Sequence, residues 1–354
     1  MSDITKLLEE YDSNYILNKA FESKMQHLLS DLIQSKNLNV HNISSRLKER
    51  YSLEKKISAK NKYTDINQIT DMIGVRIITF FEDEVDIIAD LIKDEFEIDP
   101  ENSIDKRVVE YDKFGYSSLH YVVSLNENRY NLLEYKNFKN LKFEIQIRSI
   151  LQHAWAEIEH DIGYKSKNSI PNVVKRNFSR VAALLETSDL EFSKLRNRLL
   201  QYENEIDQAI IENPANVELN IISLESFLES SPTIIDIDRK ISEGTGIELR
   251  EENLDTDNIE KLQYLKIENI QKLSKLVNEK KDLIASFAVK FLNDHYDKGG
   301  WFDRGISLFY LCYIILLEDE DDKKLELYLE TFFKKSTVPT LKNQILTSYK
   351  ELKS

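Results

Sequence analysis

The chain has a single cysteine, Cys312, among 354 residues. One thiol cannot close an internal disulfide, so packing alone has to hold the fold, as suits a reducing compartment. Glycine and proline are scarce, at eight and five residues, which leaves few strong breakers between regular elements. With 41% hydrophobic and 31% charged residues, the composition is that of a soluble, helix-rich globular protein. Long apolar runs are missing. The longest, Ile306 to Leu317 (ISLFYLCYIILL), is too short to cross a bilayer. The opening MSDITKLLEEYDSN lacks the cationic and apolar regions of a secretory signal. Positive charge is in deficit, with a net charge of −14. That argues against a broad coat on nucleic acid, which needs many cations to neutralise phosphates, yet it leaves room for a small basic site on an acidic body. A cytoplasmic protein with no membrane partner is expected.

The length suits two domains. Apolar residues at spacings of three and four predict a helix over residues 3–35 (Leu7, Leu8, Tyr11, Phe21, Met25, Leu29). The β-branched and aromatic run from Val75 to Phe81 predicts a central strand. Helical spacing returns over Glu84–Phe96, a short strand is expected at Arg107–Tyr111, and another strand over Ser118–Leu125. From Ile170 to Ile211 the spacing is again helical, with Pro171 near its start. Turns are expected around Pro214 and Pro232. Residues 217–354 alternate helical patterns with acidic loops, and the sequence there holds no P-loop, metal-ligand cluster or fixed-period repeat.

The most informative stretch is Lys142–Lys165, KFEIQIRSILQHAWAEIEHDIGYK. Phe143, Ile145 and Ile147 alternate with Glu144, Gln146 and Arg148, which is the pattern of a half-buried strand. A carboxylate, an amide and a guanidinium then share one face, as a site for a metal and a phosphorylated ligand would need. Beyond Ser149 the period becomes helical, and His153, Glu157 and His160 fall on one helix face. Read alone, this is equally an amphipathic strand followed by a solvated helix face. Arg46, Lys48, Arg50, Lys55, Lys56 and Lys60 crowd the segment His41–Asn61. They form either a solvated basic face or a clamp for a triphosphate. Asp71, just before the Val75 strand, sits where open α/β sheets present ligand-binding groups, although an aspartate there also serves as a cap.

Four stretches in order carry a family resemblance: SRLKERYSLEKK (Ser45–Lys56), DMIGVRI (Asp71–Ile77), GYSSLHYVV (Gly115–Val123), and EIQIR with HAWAEIEH and GYK. Together they resemble the synthetase domain of the RelA/SpoT alarmone synthetases over roughly residues 20–190. The resemblance implies an α+β fold, a mixed β-sheet flanked by helices of the nucleotidyltransferase-like RelA/SpoT type, followed by an all-α C-terminal region. The expected domains are 1–212, the synthetase, and 213–354, a helical and regulatory part. The implied reaction moves the β,γ-pyrophosphoryl group of ATP to the ribose 3′-hydroxyl of GDP or GTP, making (p)ppGpp and AMP. In the roles implied, Arg46, Lys48, Ser52, Lys56 and Arg76 meet ATP. Asp71 and Glu144 bind Mg²⁺ and are the catalytic pair, with Glu144 a candidate general base. Lys113, Tyr116, His120, Gln146, Arg148 and His153 face the acceptor, Tyr116 by stacking on guanine. Trp155 is expected in the core. No His-Asp pair with ligand spacing precedes these motifs, so alarmone hydrolysis is not expected.

The chain departs from the family in one place. The loop before Gly115, EYDKFGY, carries Lys113 as its one cation, where many relatives carry several to grip acceptor phosphates. That feature resembles the toxic members, which pyrophosphorylate the tRNA 3′-end. A toxin restrained by its own C-terminal domain is therefore the alternative. The C-terminal part is expected to bind a regulator or the synthetase domain itself, and homo-oligomer formation is left open.

Overall fold

The computed structural model describes residues 3–60, 62–105, 107, 118–165, 171–296 and 299–354. The chain divides into two compact units, Met1–Asn197 and Arg198–Ser354.

In the first unit the expected N-terminal helix is α1 (Asp3–Ser35). The basic segment after it splits into a strand, β1 (Asn42–Leu47), and a helix, α2 (Arg50–Lys60). Then follow β2 (Ile73–Thr79), α3 (Glu84–Glu95), β3 (Phe96–Ile98), β4 (Ile104–Asp105), β5 (Leu119–Leu125), α4 (Glu127–Tyr130), β6 (Phe143–Ser149), α5 (Ile150–Lys165) and α6 (Asn172–Glu212). The division between the units falls inside α6. Of the strand expected at Arg107–Tyr111, residues 108–111 lie outside the described residues, and β4 ends just before them.

The sheet is mixed, in the order β1-β2-β6-β5-β3 with β4 on β5. Only the β2–β6 ladder among these pairs is parallel. Alternation explains its two faces. Ile73, Val75 and Ile77 of β2 and Phe143, Ile145 and Ile147 of β6 are buried with Phe21, Met25 and Leu29 of α1 and Val85, Ile88 and Ile92 of α3. Each such side chain contributes about 1.5–3 kcal/mol on burial. The intervening residues therefore all point to the opposite face, which carries the polar groups.

Strand β1 went unread because its two serines and Arg46 mask a short period-two pattern. Ile43 and Leu47 pack on the core, and Ser45 Oγ lies 2.6 Å from Glu22 Oε1 and 2.8 Å from Gln26 Oε1 on α1. Ser44 and Arg46 are left to face outward. A second small core joins Leu7, Leu8 and Tyr11 of α1 to Leu53 and Ile57 of α2 and to Ile66, Ile69 and Met72. Here Tyr11 Oη donates to Lys48 O at 2.7 Å, and Lys48 N donates to Met72 O at 2.8 Å. These bonds bring the basic segment beside Asp71.

The second unit is mainly helical, as expected: α7 (Ile221–Ser230), α8 (Pro232–Thr245), α9 (Ile259–Tyr264), α10 (Ile270–His295), α11 (Ile306–Glu318), α12 (Asp322–Phe332) and α13 (Val338–Lys353). It also holds a parallel two-stranded ribbon, β7 (Glu248–Leu254) with β8 (Trp301–Arg304). The Arg250 guanidinium lies 3.7 Å from the centre of the Trp301 ring across that ribbon, a cation–π contact that charged strand residues conceal from hydropathy. The expected turn near Pro232 is the junction of α7 and α8, where Ser231 caps α8 through Ile234 N. The apolar run Ile306–Leu317 is α11, with Leu308, Leu311 and Ile314 buried among α10 residues Phe287 and Phe291. Among the described residues no helix is long and apolar enough to cross a membrane. Burial pushes the Cys312 thiol up to about 12, which leaves it unreactive.

Asp238 of α8 is fully buried and receives Gly305 N at 2.6 Å and Ser307 N at 3.0 Å, closing the start of α11. Burial raises its carboxyl from 3.8 to about 6 despite those two donors. A raised acid keeps its proton longer in the folded chain than in the unfolded one. Its contribution is therefore complete below its unfolded value and declines as pH rises from about 4 to about 6, by roughly 3 kcal/mol. Urea melts of the wild type and Asp238→Asn across that window should show this decline in the wild type and not in the variant. Asp238→Ala should lower stability by about 2–4 kcal/mol, because two buried backbone donors lose their acceptor.

Candidate active site

The polar face is assembled by register. One row across the sheet is Arg46, Gly74 and Glu144, on β1, β2 and β6. The next is Ser44, Arg76, Gln146 and His120, the last on β5. Directly opposed residues share a face, so side chains far apart in sequence line a cavity of about 120 Å³ among Ser44, Arg46, Asp71, Gly74, Arg76 and Glu144. Gly74 is its floor. A Cβ added there would meet nothing within 4 Å.

Asp71 precedes β2, and β6, which carries Glu144, is the parallel neighbour of β2. The Oδ2 of Asp71 is 2.5 Å from Lys56 Nζ and 3.3 Å from Lys48 Nζ. Its Oδ1 is buried without a hydrogen-bond partner. Burial works against its charge, but the hydrogen bonds and fields of Lys56 and Lys48 prevail and hold the carboxyl below its ordinary range. Glu144 is also below its usual range: burial opposes the charge, and His120 and Gln146 outweigh it. His120 Nδ1 lies 2.8 Å from Glu144 Oε1, and Gln146 Nε2 donates to Oε2 at 2.9 Å. Both carboxylates are thus charged at neutral pH and suited to a hard cation.

Beside them Glu157 gathers two cations, Arg76 at 3.0 Å and Arg148 at 3.4 Å, and has His153 Nδ1 at 3.7 Å. Arg148 is almost wholly buried. Burial, then Arg148 and Arg76, hold His153 below its ordinary value, so its imidazole is neutral at pH 7. Ser52 is exposed on α2, and the cavity is lined by other residues. Lys113 and Tyr116 lie outside the described residues. Trp155 is in the core, with its ring edge-on to Phe178. Sequence reading passed over Ser44, Gly74 and Ser118. Of these, only Gly74 left a signal, as a glycine inside a strand where something approaches closely.

Residues 45–169 match the family model described as the region found in RelA / SpoT proteins. The chain carries a RelA/SpoT domain. It is accordingly related to pyrophosphate-transferring enzymes. The GTP pyrophosphokinase YjbM of Bacillus subtilis (strain 168) is 29% identical over 162 residues, 44% of this chain and 72% of that protein. The GTP pyrophosphokinase YwaC of the same organism is 25% identical over 223 residues, covering 58% and 97%. Among solved structures, the small alarmone synthetase 1 from Bacillus subtilis aligns with a TM-score of 0.46 at 23% identity, over 55% of this chain and 99% of that one.

A divalent metal fits the RelA/SpoT domain's donor set. Among the described residues no group of three or more His, Cys, Asp or Glu is placed to hold a metal. Magnesium, however, is ordinarily held by one or two carboxylates together with phosphate oxygens and water. The buried, unpartnered Oδ1 of Asp71 is the kind of oxygen such an ion satisfies.

Gly74→Val gives a direct test of the cavity. Valine suits a strand better than glycine, by about 0.5–1 kcal/mol, so the melting temperature should hold or rise. Nucleotide binding, measured by calorimetry with ATP and Mg²⁺, should fall at least about tenfold as the side chain fills the space.

Proposed function

We propose that this chain is an alarmone synthetase that transfers the β,γ-pyrophosphoryl group of ATP to the 3′-hydroxyl of GDP or GTP. The observation that carries this reading is the parallel β2–β6 ladder, which puts Asp71 and Glu144 on one cavity with Arg46 and Arg76. The names of the two Bacillus relatives favour a guanine nucleotide as acceptor.

In the reaction the ribose 3′-oxygen attacks the β-phosphorus of ATP. The bond from that phosphorus to the α–β bridging oxygen breaks, AMP leaves with the oxygen, and the hydroxyl proton is taken up. Asp71 and Glu144 would hold Mg²⁺, which when bound neutralises phosphate charge and eases loss of the hydroxyl proton. Arg46 and Arg76 meet phosphate oxygens from neighbouring strands. Lys48 and Lys56, now paired to Asp71, turn to the triphosphate as it enters. Glu144 accepts the proton. A carboxylate held below its ordinary range is a weak base, so positioning and charge stabilisation carry most of the rate gain. Gln146, His153 and the buried Arg148 line the acceptor side, and Lys113 and Tyr116 are the further acceptor residues that the family resemblance implies.

The test uses the full chain, Mg²⁺ and ATP labelled at the γ-phosphate, with GDP, GTP and bulk tRNA offered separately. Label should appear in guanosine tetra- or pentaphosphate. Asp71→Asn and Glu144→Gln should each lower the rate by about 10²–10³-fold. Label on tRNA alone would overturn the guanine-nucleotide reading in favour of the tRNA 3′-end, the acceptor that the cation-poor loop before Gly115 would fit.

A further inference from the structure

His120 stands between two groups. Its Nδ1 is 2.8 Å from Glu144 Oε1, and its Nε2 is 2.6 Å from Ser118 Oγ. A charged carboxylate only accepts hydrogen bonds, so Nδ1 has to carry the proton. In a neutral ring Nε2 then offers a lone pair, and the Ser118 hydroxyl has to donate to it. Ser118 is fully buried, so no solvent reaches the hydroxyl to replace that acceptor. Burial also separates the arrangement from a hydrolytic Ser-His-Glu triad, in which the serine must meet substrate.

We infer that Ser118 is a positioning residue: by donating to Nε2 it holds the His120 ring in the plane from which Nδ1–H meets the Glu144 carboxylate. The inference rests on the proposed role of Glu144. Gln146 pins the second oxygen of the same carboxylate at 2.9 Å, so the carboxylate plane is fixed from both sides. Groups that orient a metal-binding or catalytic side chain through one intermediate typically matter by about 10–100-fold. His120 thereby gains a role toward Glu144, beside the one at the acceptor phosphates that the family resemblance implies.

The tautomer is read directly from ¹⁵N chemical shifts of the His120 ring in the full chain at neutral pH, using His120→Asn to assign the signal. The wild type should show the Nδ1–H form, and Ser118→Ala, with unchanged circular dichroism, should keep that form while its Nε2 signal shifts with the loss of the hydroxyl donor. A wild-type ring protonated at Nε2, or at both nitrogens, would overturn the inference, as would an unchanged Nε2 signal in Ser118→Ala. Because this readout involves no turnover, it stands apart from the proposed reaction. In the pyrophosphate-transfer assay Ser118→Ala should lower kcat about 10-fold or more, with KM for ATP within about twofold. Asparagine places a side-chain N–H where Nδ1 lies, so His120→Asn should recover much of what His120→Ala loses. Equal loss in those two variants would also overturn the inference, even if Ser118→Ala failed to fold.

Discussion

The structure of the first unit depends on the parallel pairing of β2 with β6, in the register that sets Gly74 opposite Glu144. Parallel strands start at the same edge of a sheet, so the residue leading into one lies beside the first outward residue of the other. Asp71 and Glu144 meet for that reason, although they lie 73 positions apart in the sequence. The absence of a side chain at Gly74 leaves the hollow they share. Every other feature of the site holds that pair in place. Helices α1 and α3 cover the apolar face and leave the polar face open. The small core under α2 fixes Lys56 over Asp71.

Electrostatics explains how an acidic chain can handle polyphosphates. Against a net charge of −14, the polar face concentrates Arg46, Lys48, Lys56, Arg76 and Arg148 around the carboxylates Asp71, Glu144 and Glu157. Cations paired with carboxylates stay ordered without ligand. Exchange of a carboxylate oxygen for a phosphate oxygen then requires little reordering of long side chains, whose immobilisation is otherwise a large cost of binding. Asp71 holds two lysines through one oxygen and leaves the other unpartnered, an imbalance that a cation on the free side relieves.

Sequence alone made much of the sheet legible, because period-two alternation in Phe143–Arg148 and the branched run from Val75 report burial directly. The helices α1, α3 and α6 were legible in the same way. Strand β1 was not, since a six-residue strand with two serines and an arginine carries a weaker signal than the basic residues that follow it. The β7–β8 ribbon escaped for a related reason: its residues are mostly polar, and a cation–π contact helps join the strands. At the site, residue types and order pointed to Asp71 and Glu144, whereas their adjacency needed the ladder. The partner of His120 was illegible, because nothing in a sequence says which of several polar groups on one face a ring nitrogen will meet. Ser118 was hidden twice over, as a buried serine in a run of ordinary strand residues.

The shared cavity of Asp71 and Glu144 as a metal–nucleotide centre is tested most directly by titrating Mn²⁺ into the full chain with ATP present, following free Mn²⁺ by electron paramagnetic resonance. The wild type should bind the metal together with ATP, and Asp71→Asn and Glu144→Gln should each weaken that binding by about tenfold or more while keeping the wild-type melting temperature to within a few degrees. Undiminished Mn²⁺ binding in both variants would contradict the assignment and place the metal, and with it the reacting phosphates, elsewhere on the chain.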